Sequence, residues 1–390
     1  MNTAGSMALK KLIPYARQTV DEQDIEAVIK VLRSDWLTTG PTVDVFEEAV
    51  ATFVEARYAV AVSSGTAALH AAMYAIEISQ GDEVIVPPMT FAATANAVVF
   101  QGGVPVFADV TSDTLLIDPE KVREKISPRT KAIVAVDYAG QPCDYAVLRK
   151  IADENGIVLV ADACHALGAK YKDCRAGSLA DLSVFSFHPV KHITTGEGGM
   201  VTTDNNRYAK RMRRFRNHCI DTDHRQRAEK GGWFYQMVDL GYNYRISDIQ
   251  CALGISQLKK LPEWIKRRRK IAEHYTDAFS SCRAVEPLAV LPDRFHAYHL
   301  YVIRVKSEKE QITRDELFTA LRSGGVGANV HYIPVHLHPF YRETFKTAEG
   351  LCPVSEAAYR QIISLPIYSG LNDADVDIVI HELLCATDKA

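Results

Sequence analysis

The chain has 390 residues, 47% of them hydrophobic and 24% charged, a balance that can bury a large core and excludes a disordered or fibrous polymer. Lys and Arg total 45 against 48 Asp and Glu, a formal net charge of -3, so there is no global positive field to hold a polyanion and no nucleic-acid partner is expected. The cysteines are scattered without a CxxC pair, unlike a zinc ribbon or a disulfide framework, and read as reduced thiols of a cytoplasmic protein. The N-terminus lacks the apolar stretch of a signal peptide, and nowhere is there an apolar run long enough to cross a bilayer, so no membrane partner is expected either. Residues 1–6 read either as an appended leader ahead of a natural start at Met7 or as a genuine leader.

Short strand-like runs alternate with longer helical ones. Tyr58–Val62 precedes a small-residue helix pattern over Thr66–Ile78, and Glu83–Val86 precedes Ala92–Phe100. Val104–Ala108 and Lys131–Val136 follow as strands, then a helix over Tyr145–Asn155 and a strand over Gly156–Val160. Strands apolar on both faces, alternating with helices, predict a mostly parallel sheet covered by helices and therefore an α/β fold. Ligands of such sheets bind beyond the carboxyl ends of the strands, which directs attention to the residues just after each run.

Beyond Asp204 an Arg-rich helical stretch (207–218) leads to a Gly-rich linker at Gly231 and Gly232. Ile246, Ile249 and Leu253 repeat at helical spacing, and a break is expected at Leu261-Pro262, with Pro262 opening the next helix. That break divides the chain into a large domain (1–261, with an N-terminal arm) and a smaller α/β domain (262–390). The latter contains an extended piece at Leu300–Val305, a helix at Arg314–Ser323 and a final helix from Asp373 to about Cys385. The basic runs Arg207–Arg216 and Lys266–Lys270 read as solvated helix faces in an acidic chain.

Three segments carry chemistry. Ser63-Ser64-Gly65-Thr66-Ala67 follows a strand and opens a helix, where close backbone approach at Gly65 and unpaired first-turn amides make an anion cradle or a plain N-cap. Val158–Asp162 ends a buried strand in an acid, which needs a cationic partner; Cys164 and His165 beside it lack metal-site spacing. Ser186 and Lys191 lie between an apolar strand and the turn Gly196-Glu197-Gly198-Gly199, where a partly desolvated amine becomes a nucleophile toward carbonyls. A phosphate cradle, a carboxylate for a ring nitrogen and an amine are together what pyridoxal 5'-phosphate requires.

With these residues in place the chain resembles the DegT/DnrJ/StrS family of sugar aminotransferases, fold type I pyridoxal-phosphate enzymes. The resemblance rests on SSGTAALHAA, PPMTFAATANAV, VDYAGQPCD, VADACHALGAKY, SVFSFHPVKHITTGEGG, GYNYRISDIQCALG and HYIPVHLHPFY, and spans nearly the whole chain. It implies Lys191 as the Schiff-base lysine, Asp162 facing the ring nitrogen, and Gly65, Thr66, Ala67 and Ser186 at the phosphate. It further implies Phe91 stacked on the cofactor and His165, where relatives carry glutamine, at its phenolic oxygen. Asn243 would reach a phosphate across the interface of a homodimer with shared active sites, and Tyr15, His331 and Tyr332 would line the sugar-nucleotide pocket. His331, His336 and His338 have no acidic or thiol partner nearby in sequence, so no metal is expected.

Within the family the segments VDYAG, DACHALGAKY and SFHPVKHITTGEGG are most similar to the branch that makes pseudaminic acid precursors. That branch implies amino transfer from L-glutamate to C4 of a UDP-linked 4-keto-6-deoxy-N-acetylhexosamine. Alternatives are amination of another nucleotide ketosugar (at C3, or dTDP- or GDP-linked), a family dehydratase, against which Lys191 argues, and a cofactor-binding regulator without turnover. The absence of GxGxxG after the early strands disfavours a nicotinamide enzyme.

Overall fold

A computed structural model describes residues 12–222, 225, 227, 231–306 and 312–388. The question raised by residues 1–6 lies outside them. In chain order the strands are β1 (Tyr58–Val62), β2 (Glu83–Val86), β3 (Val104–Phe107), β4 (Thr130–Val136), β5 (Val158–Asp162), β6 (Lys170–Tyr171), β7 (Cys174–Arg175), β8 (Leu182–Ser186), β9 (Gly199–Thr203), β10 (Val285–Pro287), β11 (Arg294–Phe295), β12 (Tyr301–Val305) and β13 (Ile362–Leu365).

The large sheet runs β1-β9-β8-β5-β4-β2-β3. Its neighbours pair in parallel from β8 to β3, and β9 alone runs antiparallel, between β8 and β1. Strands β1, β2, β4, β5 and β8 therefore end on one edge. The strand residues Val60, Val84, Val134, Val160 and Val184 are buried with Leu69, Met73 and Val98 from the helices Gly65–Ala75 and Ala93–Phe100. Ile85, Ile133, Leu159 and Ala161 point to the opposite face and join a second cluster with Leu148 and Ile151 of the helix Tyr145–Asn155. Burial on both faces is what the unbroken apolar runs predicted.

The strand expected at Gly156–Val160 begins two residues later. Gly156 has φ +64° and caps the preceding helix in the left-handed region, so Asp162 becomes the last residue of β5. A second sheet, β10-β12-β13, is antiparallel and packs on the helices Arg314–Ser323 and Asp373–Asp388. All eight cysteines are free thiols. Among the described residues no helix is long and apolar enough to cross a membrane.

The break expected at Leu261-Pro262 is absent. One helix runs from Asp248 to Phe279 with Pro262 inside it. An interior proline removes a helical hydrogen bond and costs about 3 kcal/mol, but Pro262 is solvent-exposed and the helix is buried on both sides of it. Leu258, Leu261 and Ile265 pack with the helix Pro41–Val54, while Ile271, Ala272, Tyr275 and Phe279 pack under the small sheet. Burial of these side chains at about 1.5–3 kcal/mol each outweighs the lost bond.

The basic runs also depart from solvated faces. Arg213 and Arg216 pair with the buried Glu47, whose carboxylate also accepts from the Ala61 amide at 2.9 Å, tying the helix Asn206–Phe215 to β1. Arg268 is 2% exposed and donates to the carbonyls of Tyr298 (3.1 Å) and Ile367 (2.9 Å). A guanidinium's fork of donors makes such burial tolerable when carbonyls converge on it.

Candidate active site

The common edge of β1, β2, β5 and β8 gathers the residues singled out in the sequence. Pairing of Val62 with Gly199, and of Gly199 with Ser186, sets the end of β1 and the end of β8 on either side of β9. The helix Gly65–Ala75 begins there with Ser64 as its N-cap. A Cβ on residue 65 would lie 2.8 Å from Ser186 Cβ, so only glycine permits this approach. The Ala67 amide, expected at the phosphate, donates instead to Ser64 Oγ at 3.1 Å. The Gly65 and Thr66 amides remain as the helix's first-turn donors, beside the Ser186 hydroxyl.

Asp162 is 6% exposed. Its Oδ2 accepts from Thr94 Oγ1 at 2.7 Å and its Oδ1 from the Cys164 amide at 3.2 Å. Thr94 is in turn bonded to Thr90 Oγ1 at 2.8 Å, so the loop after β2 orients the acid at the end of β5. That loop also presents Phe91, whose ring is 61% exposed and lies 6.2 Å from the Tyr332 ring.

Lys191 sits on a loop that closes on itself: Phe187 donates to the Gly198 carbonyl at 2.8 Å and Thr195 returns to the Phe187 carbonyl at 3.1 Å. Its Nζ has no hydrogen-bond or ion-pair partner among the described residues. Burial pushes its ammonium below the ordinary lysine value, against the pull of Cys164 and Asp162. An amine held this way is available as a nucleophile and as a proton carrier.

His165 follows β5 and is 6% exposed; its Nε2 lies 3.1 Å from Tyr332 Oη, a link between the segment after β5 and the one leading to β13. Burial first, and then the Lys191 charge, hold its imidazole well below the ordinary histidine range. His331 bonds Ser364 Oγ through Nδ1 at 2.9 Å, stands 5.3 Å from the Tyr15 ring, and is held down to about 4 by burial and by Lys191. Tyr15, Tyr332 and His331 thus meet Phe91, Asp162, His165 and Lys191 at one place. Asn243 does not join them within the chain. It is exposed, on a segment bridged to Asn217, flanked by Tyr242 and Tyr244, whose rings stack at 5.1 Å.

His336 belongs elsewhere, bonded to Glu356 at 2.8 Å. Among the described residues no group of three or more His, Cys, Asp or Glu side chains could hold a metal ion. Sequence reading missed Thr94 and His299. His299 is 3% exposed with its ring 4.3 Å from His165, more than a hundred positions away in the chain, where no local pattern signals it.

A glycine-lined cradle with open amides, a sheet-edge carboxylate, an exposed aromatic ring and an unpartnered, desolvated lysine are a donor set that fits pyridoxal phosphate. The fold and this edge define a fold type I pyridoxal-phosphate enzyme. The chain belongs to the DegT/DnrJ/EryC1/StrS aminotransferase family, whose pattern matches residues 18–384. It is 41% identical over 371 residues to the spore coat polysaccharide biosynthesis protein SpsC of Bacillus subtilis, covering 95% of both chains. Helicobacter pylori PseC, an aminotransferase involved in the biosynthesis of pseudoaminic acid, superposes with a TM-score of 0.90 at 33% identity, over 97% of this chain and 100% of that one. The pyridoxal-phosphate form of the sugar aminotransferase Spr1654 from Streptococcus pneumoniae, itself described as putative, superposes with a TM-score of 0.90 at 31% identity, over 97% and 99%. The protein is accordingly a pyridoxal-phosphate-dependent sugar aminotransferase.

Proposed function

We propose that the enzyme moves an amino group from L-glutamate to C4 of a UDP-linked 4-keto-6-deoxy-N-acetylhexosamine, in the cytoplasm, as a homodimer with shared active sites. The observation that carries the choice of sugar is the end-to-end likeness to PseC. Pyridoxal phosphate, when bound, supplies an electron sink for the carbon that loses a proton.

The chain's own residues do the rest. Gly65, Thr66 and Ser186 hold the phosphate, and Ala67 contributes through the positive end of its helix rather than by a direct bond. Phe91 covers one face of the cofactor ring, Asp162 keeps the ring nitrogen protonated, and His165 bonds the phenolic oxygen. Lys191 would anchor the cofactor through its amine until the donor's amine displaces it, and the freed amine would take a proton from the donor's α-carbon and give it back on the cofactor side, reversing the order for the sugar. Tyr15, His331 and Tyr332 line the sugar pocket. Asn243 reaches the partner's phosphate. The exposed run Trp233, Phe234, Tyr235, Met237, Val238 and Leu240, with Trp233 84% exposed, supports the dimer, because apolar patches of this kind mark protein contacts. Residues 1–261 form the cofactor lobe and 262–390 the smaller lobe, with the helix Asp248–Phe279 as a spine common to both.

Incubation of the holoenzyme with the UDP-linked 4-ketosugar and L-glutamate tests this reading: the 4-amino sugar and 2-oxoglutarate are expected. Turnover of a dTDP- or GDP-linked ketosugar alone, or amination at C3, would contradict it while leaving the aminotransferase assignment intact. Another nucleotide ketosugar is the second reading, and the likeness to a spore coat polysaccharide biosynthesis protein is what keeps it in view.

A further inference from the structure

Three buried imidazoles stand together beside Lys191. His165, His299 and His192 are 6%, 3% and 4% exposed, with ring centroids 4.3 Å apart for the first pair and 5.7 Å for His299 and His192. His192 Nε2 donates to the Ala297 carbonyl at 3.0 Å, and His165 Nε2 meets Tyr332 Oη, but the Nδ1 atoms of all three rings are buried without a partner. Among the described residues no carboxylate bonds any of them. The one nearest in chemistry, Asp162, is occupied by Thr94 and the Cys164 amide.

The backbone fixes this grouping. Gly140 has φ +105°, and a Cβ there would come within 2.8 Å of the His165 carbonyl oxygen and 3.0 Å of the His299 amide. Around it, Ala297 donates to the Gly140 carbonyl at 2.9 Å and Leu300 to the Ala139 carbonyl at 3.1 Å. His165 and His299 are thus pressed together by a turn that only glycine can make.

Charged and titratable neighbours surround the rings on every side. Lys191 and Arg268 act on His299 and His192, Lys191 and His331 act on His165, and Tyr138 and Tyr332 complete the wall about His165. Each nearby charge is positive except Asp162, and burial and these charges alike hold all three imidazoles uncharged.

We propose that His299 is a positioning residue whose flat ring wedges His165 in place and covers one side of the Lys191 pocket against water. This rests on Lys191 being the reactive amine. His299 acts by shape and by carrying no charge: a water-filled gap in its place would rehydrate the ammonium and favour its charged form.

The test uses cofactor-free protein, following uptake of added pyridoxal phosphate by absorbance from pH 6 to 9, together with NMR titration of the imidazole carbons. His299→Ala is expected to capture the cofactor severalfold more slowly at pH 7, because a rehydrated ammonium gives up its proton less readily. His299→Phe, which keeps the flat ring, is expected to capture it at the wild-type rate. In the wild type the His165 and His299 rings are expected to stay uncharged well below the pH at which ordinary histidine charges. Wild-type capture by His299→Ala, slow capture by His299→Phe, or a His299 ring that charges in the ordinary histidine range overturns the proposal. Where His299→Ala does not fold, the phenylalanine variant and the wild-type titration decide it in the same terms. Lys191→Ala separates this from the reading beneath it: capture by that variant at the wild-type rate refutes Lys191 itself.

Discussion

Two places in the molecule bury histidine, and they treat it differently. His336 is fully buried against Glu356, whose carboxylate also accepts from the amides of Gly350 (2.9 Å) and Cys352 (3.2 Å). The imidazole there has an acid, although its Nδ1 too is buried without a partner, and the cluster ties the segment 336–352 to the helix Pro353–Tyr359. Beside Lys191 the imidazoles of His165, His192 and His299 are buried as deeply but have no acid, and three ring nitrogens go without partners. A buried imidazole paired with an acid is architecture, whereas imidazoles without one beside the Lys191 amine mark a place prepared for a ligand.

The largest effect belongs to the unsatisfied side. Lys191→Ala is expected to lower 2-oxoglutarate formation by more than about 10³-fold, the combined worth of a nucleophile and a general base, with an unchanged thermal midpoint. A similar loss of stability would place Lys191 with the structural groups instead.

Acid should next expose both histidine sites. Their folded pKa values lie below the ordinary value, so the unfolded chain binds more protons than the folded one below about pH 6.5. The stability they contribute is present above that pH and is lost as pH falls through it, at about 1.4 kcal/mol per ring per pH unit. Urea midpoints measured from pH 7.5 to 5 check this; a flat profile would show that the folded rings take up protons as free histidine does.

Glu356→Gln breaks only the satisfied site. It is expected to cost about 1–3 kcal/mol in urea unfolding by disturbing a buried bonded group, and to leave kcat and KM unchanged. Thr94→Val removes one donor from Asp162 and is expected to lower kcat by about tenfold or more, the worth of a single hydrogen bond to a charged group, with a smaller effect on stability. A Thr94→Val variant that unfolds easily but turns over normally would reverse the contrast between the two regions.

The large sheet was legible because its strands are apolar on both faces, a pattern that survives without knowledge of partners. Asp162, Ser186 and Lys191 were legible for a related reason: the first two end strands, and Lys191 follows one, on the edge where ligands bind. Pro262 misled, since proline ordinarily ends a helix and the burial that overrides it comes from two separate clusters. Arg216 and Arg268 misled likewise, because Glu47 and the carbonyls of Tyr298 and Ile367 that receive them are remote in sequence. Thr94 and His299 could not be read at all. Their importance arises from contacts with Asp162 and His165 that exist only once the chain is folded.

The central claim is that this edge of the sheet transfers amino groups through Lys191, and the glutamate half-reaction tests it most directly. With no ketosugar present, holoenzyme mixed with L-glutamate is expected to release one 2-oxoglutarate per site and to pass from the pyridoxal to the pyridoxamine form, while Lys191→Ala does neither. Holoenzyme that binds L-glutamate but releases no 2-oxoglutarate would contradict it.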